Sequence, residues 1–372
     1  MLVVIRTDAS LEIGTGHVMR CLTAAEQLHS HGAEVRFVCR AFPGNLCDVI
    51  REHGYRCDRL PFECGDVKNT YDSIYARWLS VDQIVDAEQT QGVLHSYGTR
   101  PDWIIADHYG LNSLWHKAMR PYSRRIMVID DLANRPLDCD LLLDQNYYAN
   151  MAQRYWGLAP AYCRQLLGPE YALLRREFLV ADRRQRSTAV RCILVFFGGT
   201  DPSNQTAVAL GAIRELSNTN LCVDVVIGAT NPHREHIERL CARSDRFELH
   251  QNVSNMAELM SAADLAIGAG GTTTYERLYM RLPTLAISIA DNQTEVLKGL
   301  HGAGHLVYLG HHGDVTPASL AASIEDFVDG KTRIVPYEFT AGNNFLWGEL
   351  QAAADAQPAG AGQAHCLRAT GL

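Results

Sequence analysis

The chain has 372 residues, a formal net charge of −8, and 47% apolar against 20% charged residues. That balance is ordinary for a folded water-soluble protein and excludes a general electrostatic pull toward nucleic acid or anionic membrane. The length exceeds one comfortable core and predicts two domains of roughly 150 to 190 residues each.

The first predicted strand is Leu2-Val3-Val4-Ile5, and Gly14-Thr15-Gly16-His17 then opens a helix. The apolar positions of that helix, Val18, Cys21, Leu22, Ala25 and Leu28, fall on one face of a 3.6-residue repeat. Gly14 and Gly16 therefore sit in a strand-to-helix turn, where a ligand can approach the backbone. His17 falls beside unpaired helix amides, whose positive end disfavours imidazolium and leaves a neutral base. A tight turn with a packing or capping histidine is the alternative reading. Residues 34–39 read as a second strand and 46–53 as a helix, while 61–80 carry no clear pattern. Three further buried-strand runs each end in polar groups: Trp103–Ala106 before Asp107-His108-Tyr109-Gly110, Arg125–Ile129 before Asp130-Asp131, and Leu141–Leu143 before Asp144-Gln145-Asn146. Polar groups past the C-terminal ends of strands mark the ligand-binding edge of an open parallel sheet.

Residues 169–181 carry a helical pattern, and the basic run Arg183-Arg184-Gln185-Arg186-Ser187 reads as a solvated interdomain linker. A second strand–helix alternation follows. Its strands are 192–197, ending in Gly198-Gly199-Thr200-Asp201, then 222–227, 264–267 and 284–289. The fold class expected is α/β, two Rossmann-like domains with parallel sheets facing a cleft. The boundaries expected are 1–165, a helix and linker over 166–187, 188–335, and an extension over 336–372 whose last fifteen or so residues are disordered.

The strongest signal in the second half is Gly268-Ala-Gly-Gly-Thr-Thr-Thr-Tyr-Glu276. A glycine turn feeding a helix among threonines offers amides and hydroxyls to a diphosphate, with Glu276 placed for two ribose hydroxyls. It is neither a GxxxxGK[ST] phosphate loop nor a dinucleotide GxGxxG with a distal acid. Gly199 and Thr200, with Ser203 and Asn204 as candidate helix caps, form a second turn that suits phosphate or sugar, or is structural. Asp291-Asn292-Gln293-Thr294-Glu295 suits sugar hydroxyls or simple capping.

Eleven cysteines with no CxxC pair fit reduced thiols better than disulfides or a zinc site. No run of about 18 apolar residues is present, and the N-terminus enters a strand without a secretory pattern, so a cytoplasmic protein without membrane insertion is expected.

The glycine turn GAGGTTTYE followed by DNQTE resembles the GT-B nucleotide-sugar glycosyltransferases. The motifs TDAS…IGTGHVMRC, DHYG, DD…CDLLLDQN, GPEYALLRREF and FFGGTDPSN, in order from residue 4 to about 309, are similar to the UDP-2,4-diacetamido-2,4,6-trideoxy-β-L-altropyranose hydrolase family of pseudaminic acid biosynthesis. This resemblance implies a UDP-sugar substrate, with UDP at Gly270, Gly271 and Thr272 and its ribose on Glu276. It implies the sugar near Gln293 and the N-terminal turn of Gly14 and Gly16, His17 as base, and Tyr109 orienting His17 or substrate. Arg6, Asp8 and Arg20 are weaker candidates for contact with substrate. No cofactor or metal is implied, and Asp138-Cys139-Asp140 precedes its strand, the wrong end for a metal pair. UDP departs as a stable anion, so one base activating water suffices for inverting attack at the anomeric carbon. Alternatives are a glycosyltransferase using a UDP-amino sugar and a non-catalytic nucleotide-sugar binding protein.

Overall fold

The structure, a computed structural model, describes residues 1–62, 75–184, 186, 189–216, 221–340 and 345–355. Part of the stretch without a pattern (63–74) and the tail expected to be disordered lie outside the described residues. The chain divides into two compact units.

Unit 1 comprises Met1–Asp144, Tyr155–Leu166 and the described C-terminal residues 345–355. Its strands are β1 (Leu2–Thr7), β2 (Glu34–Arg40), β3 (Arg56–Leu60), β4 (Trp103–Asp107), β5 (Arg125–Ile129), β6 (Leu141–Asp144) and β7 (Arg164–Leu167). Its helices are α1 (Gly16–His29), α2 (Cys47–Glu52), α3 (Gln83–His95) and α4 (Ser113–Met119). The strands run in the order β3-β2-β1-β4-β5-β6-β7, and β3 through β6 pair in parallel. Every residue of β1 is buried, as a central strand covered on both faces requires. The β1–β4 register sets Thr7 opposite Asp107. Both strands thus deliver their polar ends to one edge.

Unit 2 comprises Gln145–Arg154 and the described residues from Leu167 to 340. It holds α5 (Arg176–Val180), β8 (Cys192–Phe196), α6 (Gln205–Glu215), β9 (Cys222–Ile227), α7 (Arg234–Cys241), β10 (Phe247–Gln251), α8 (Met256–Ala262) and β11 (Leu265–Ala269). It continues through α9 (Thr272–Tyr279), β12 (Thr284–Ser288), α10 (Asp291–Gly302), β13 (Val307–His311) and α11 (Pro317–Val328). The parallel order is β10-β9-β8-β11-β12-β13, with one apolar cluster on each face. The last described helix, α12 (Phe345–Asp355), packs in unit 1: Leu346 and Leu350 are fully buried, and Trp347 stacks on His31.

Two sequence expectations change here. The helix expected over 169–181 reduces to a short 3-10 turn (Pro169–Tyr171) and the five-residue α5, with Ala172 extended between them. Burial of Ala172, Leu174 and Phe178 in unit 2, and the Leu173 amide donating to Gln145 Oε1 at 3.2 Å, outweigh helix propensity. The arginine run is no solvated linker either. Arg184 donates to the Ser261, Ala262 and Ala263 carbonyls, Arg186 to those of Met260 and Met280, and Arg183 to that of Tyr279. These cations satisfy the orphan carbonyls at the C-terminal ends of α8 and α9.

Burial pushes His108 down to about 4 and His116 down to about 3. A histidine depressed in the fold is neutral there, whereas the unfolded chain takes up its proton first as pH falls below about 6.5. The stability each group contributes is therefore intact above that pH and lost progressively down to about 4 for His108. Urea unfolding of unit 1 at pH 5 is expected to show a loss of roughly 2 kcal/mol per histidine relative to pH 8. Equal midpoints at the two pH values would contradict it.

Candidate active site

The loop from Asp8 to Thr15 shapes the start of α1. Ser10 Oγ accepts the Ile13 amide at 2.9 Å, the Gly14 amide donates to the Ser10 carbonyl at 2.9 Å, and Gly14 takes φ +78°. That left-handed backbone favours glycine. Gly16 has ordinary φ and open space where a side chain would lie, so neither conformation nor packing demands it. His17 follows in the first turn of α1 and is 7% exposed.

His17 Nδ1 lies 2.6 Å from Asp107 Oδ1. A carboxylate only accepts, so Nδ1 carries the proton and Nε2 is the basic nitrogen. Arg20 grips the same carboxylate with a fork, Nε to Oδ2 and Nη2 to Oδ1, both at 2.6 Å. Cys21 Sγ adds a contact at 3.3 Å. Burial works to raise Asp107, but Arg20 and then His17 hold it well below the usual carboxylate range. Arg20 Nη1 also reaches Asp131 at 3.2 Å, and Asp131 accepts the Tyr109 hydroxyl. Tyr109 stands edge-on to His17, ring centroids 4.5 Å apart, and stacks on Trp78. Gly110 is needed because a Cβ there would lie 2.9 Å from the Tyr75 carbonyl oxygen.

His17 and Tyr109 therefore come together, and Arg20 joins them through Asp107 and Asp131. Arg20 gives three of its five N–H donors to Asp107 and Asp131. Arg6 and Asp8 are structural: both are fully buried, Arg6 donating to Asp8 and Asp86 at 2.6 Å, with Arg40 and the Trp115 indole also on Asp86. Asp138 and Asp140 both pair with Arg120. Sequence reasoning gave no role to Asp107, Asp131 or Trp78. The run DHYG at a strand end was a signal for Asp107.

Unit 2 gathers the other candidates at its own strand ends. Gly271 caps α9 at φ +102°, no side chain caps that helix end, and Thr272 is exposed. Thr274 is buried, and Thr273 and Thr274 both accept from the buried Arg277. Gly270 has a packing role: a Cβ there would lie 2.8 Å from Gln293 Cβ, while Gln293 Oε1 accepts the Ile289 amide. Glu276, 6% exposed, takes a fork from Arg175 at 2.9 and 3.3 Å. Burial raises Glu276 despite Arg175. Gly199 and Thr200 are exposed, and Gly228 lets that turn approach, since a Cβ there would lie 2.2 Å from the Gly199 oxygen. The cap of α6 is Asp201, accepting the Gln205 and Thr206 amides, and not the expected Ser203 or Asn204. Asn204 is left-handed and makes no side-chain cap.

No family model matches the chain. The UDP-2,4-diacetamido-2,4,6-trideoxy-β-L-altropyranose hydrolase of Campylobacter jejuni is 27% identical over 308 residues, 82% of this chain and 98% of that protein. The uncharacterized protein MJ1062 of Methanocaldococcus jannaschii is 25% identical over 306 residues, 79% of this chain and 57% of its own length. The Bacillus subtilis spore coat polysaccharide biosynthesis protein SpsG is 31% identical over 155 residues, 40% of this chain and 44% of its own. Among solved structures, Acinetobacter baumannii MurG gives a TM-score of 0.59 at 13% identity, covering 95% of this chain and 94% of that one. A putative UDP-N-acetylglucosamine 2-epimerase from Listeria monocytogenes gives 0.56 at 14%, covering 95% of both. At such identities the structural likeness speaks for the fold. No helix among the described residues is long and apolar enough to cross a membrane. Along 82% of its length the chain is similar to the UDP-2,4-diacetamido-2,4,6-trideoxy-β-L-altropyranose hydrolase of Campylobacter jejuni, and its two parallel-sheet units have the GT-B fold.

Proposed function

We propose that this protein hydrolyses a UDP-linked diacetamido-trideoxy sugar to UDP and the free sugar, inverting the anomeric carbon. The observation that carries the reading is the His17 Nδ1–Asp107 bond at 2.6 Å, which leaves Nε2 to take a proton. Water is the nucleophile: its oxygen bonds to the anomeric carbon as its proton passes to His17 Nε2. The bond from that carbon to the diphosphate oxygen breaks, and its electron pair leaves with UDP. Asp107 stabilises the imidazolium as it forms. The free start of α9 at Gly271 and Thr272, with the Gly199–Thr200 turn, supplies amides for the growing diphosphate charge.

Glu276 serves the ribose in this reading. An ionised carboxylate offers about four lone-pair sites, and the Arg175 fork engages two, leaving room for two hydroxyls. Glu276→Ala is expected to weaken UDP binding by roughly 1 to 3 kcal/mol, the cost of poorly paired polar groups. Calorimetry with UDP alone measures it; wild-type affinity in the variant removes Glu276 from the nucleotide site.

Hydrolysis in water enriched with heavy oxygen tests the reaction itself. The label is expected in the free sugar and absent from UDP. Label in the nucleotide, or release of UMP, means attack at phosphorus and ends the proposal. A substrate left intact until an acceptor alcohol is added identifies a transferase instead.

A further inference from the structure

One edge of the unit 1 sheet carries three thiols that the proposed reaction does not use. Cys39 lies near the end of β2, Cys47 opens α2, and Cys57 is the second residue of β3. In the β2–β3 ladder Phe37 pairs with Cys57 and Cys39 with Arg59. Residues two apart on a strand share a face, so Cys39 and Cys57 project to the same side of the sheet. The three Sγ atoms lie within 4.8 Å of one another, all three side chains are buried, and none is in a disulfide.

That spacing suits an ion. Sulfur–metal bonds of about 2.3 Å set three thiolates about 4 Å apart around a trigonal centre. Among the described residues no carboxylate or imidazole belongs to the group, so the donor set is sulfur alone. Sulfur-only sites select soft cations over magnesium or calcium. The spacing in sequence, C-x7-C-x9-C, is longer than the short loops of zinc fingers, so the absence of CxxC pointed away from a metal.

We propose that Cys39, Cys47 and Cys57 form a three-thiolate site for a soft d10 cation of the Cu(I), Zn(II) and Cd(II) class. Binding forms three metal–sulfur bonds and releases to the buffer whatever protons the three sulfurs carry, with no change of oxidation state. The edge position gives the site a structural role, tying β2, α2 and β3 together. It is independent of the UDP-sugar reading.

The test titrates the full-length, reduced protein anaerobically with Cd(II), following the sulfur-to-cadmium charge-transfer absorbance. Saturation is expected at one Cd(II) per chain, and X-ray absorption of that complex is expected to show a shell of three sulfurs. Cys47→Ser is expected to weaken binding by more than about 100-fold, beyond the cost of losing an outer-shell contact. Cys192→Ser, at a partly exposed thiol in unit 2, is expected to bind as wild type. No saturable band in the wild-type protein overturns the proposal, as does a shell dominated by oxygen or nitrogen. Both readouts use the unsubstituted chain, so a variant that misfolds does not obscure the answer.

Discussion

His17→Ala is expected to lower kcat by about 10² to 10⁴-fold, the usual contribution of a general base, with UDP affinity nearly unchanged. The fold should tolerate the change, because Asp107 keeps its fork from Arg20 and its Cys21 contact when the imidazole is gone. The loss should appear in kcat and not in nucleotide binding, because the base acts on water in the transition state. Single-turnover kinetics beside a UDP titration separates the two. Turnover above about a third of wild type would remove His17 as base. Tyr109 would be a poor replacement. Burial and the neighbouring Asp131 hold its phenol well above the ordinary range, and its hydroxyl already donates to that carboxylate.

Much of this site was legible because strand ends and glycine turns are local signals. The apolar repeat from Val18 to Leu28 placed α1, and the glycines before it placed His17 at its first turn. What Asp107 does was not legible. Its partner is ninety positions earlier, and the pairing exists only because β1 and β4 lie side by side with Thr7 opposite Asp107. Trp78 likewise reaches His17 through tertiary packing. In unit 2 a sequence does not separate a glycine that admits a ligand from one that admits a neighbour. Gly270 is small because Gln293 lies against it, whereas Gly271 has open space at a left-handed φ. The Arg175 fork on Glu276 spans 101 positions and was equally invisible. The helix expected over 169–181 failed for a related reason: the pattern recorded burial, and burial there is achieved by extended chain.

Asp107→Asn carries the other large effect, expected on the order of 10²- to 10⁴-fold in kcat. The amide keeps the shape of the carboxylate but removes its charge and turns one acceptor into a donor. If the oxygen still accepts from His17 Nδ1, the imidazolium formed during water attack loses its counter-ion. If the NH₂ group faces His17 instead, Nδ1 becomes the acceptor and the proton moves to Nε2, which then takes none from water. Either arrangement disables the base while leaving the imidazole in place. Stability should fall too, because Arg20 keeps only Asp131 as a charged partner, and breaking a buried pair typically costs about 3 to 5 kcal/mol. A plain loss of fold is distinguishable from loss of the base. Thermal melting below the assay temperature signals the first. A folded variant with wild-type affinity for UDP and slow single-turnover chemistry signals the second. A folded variant with near-normal kcat would mean that Asp107 only anchors Arg20, and that the His17–Asp107 bond does not carry the reaction.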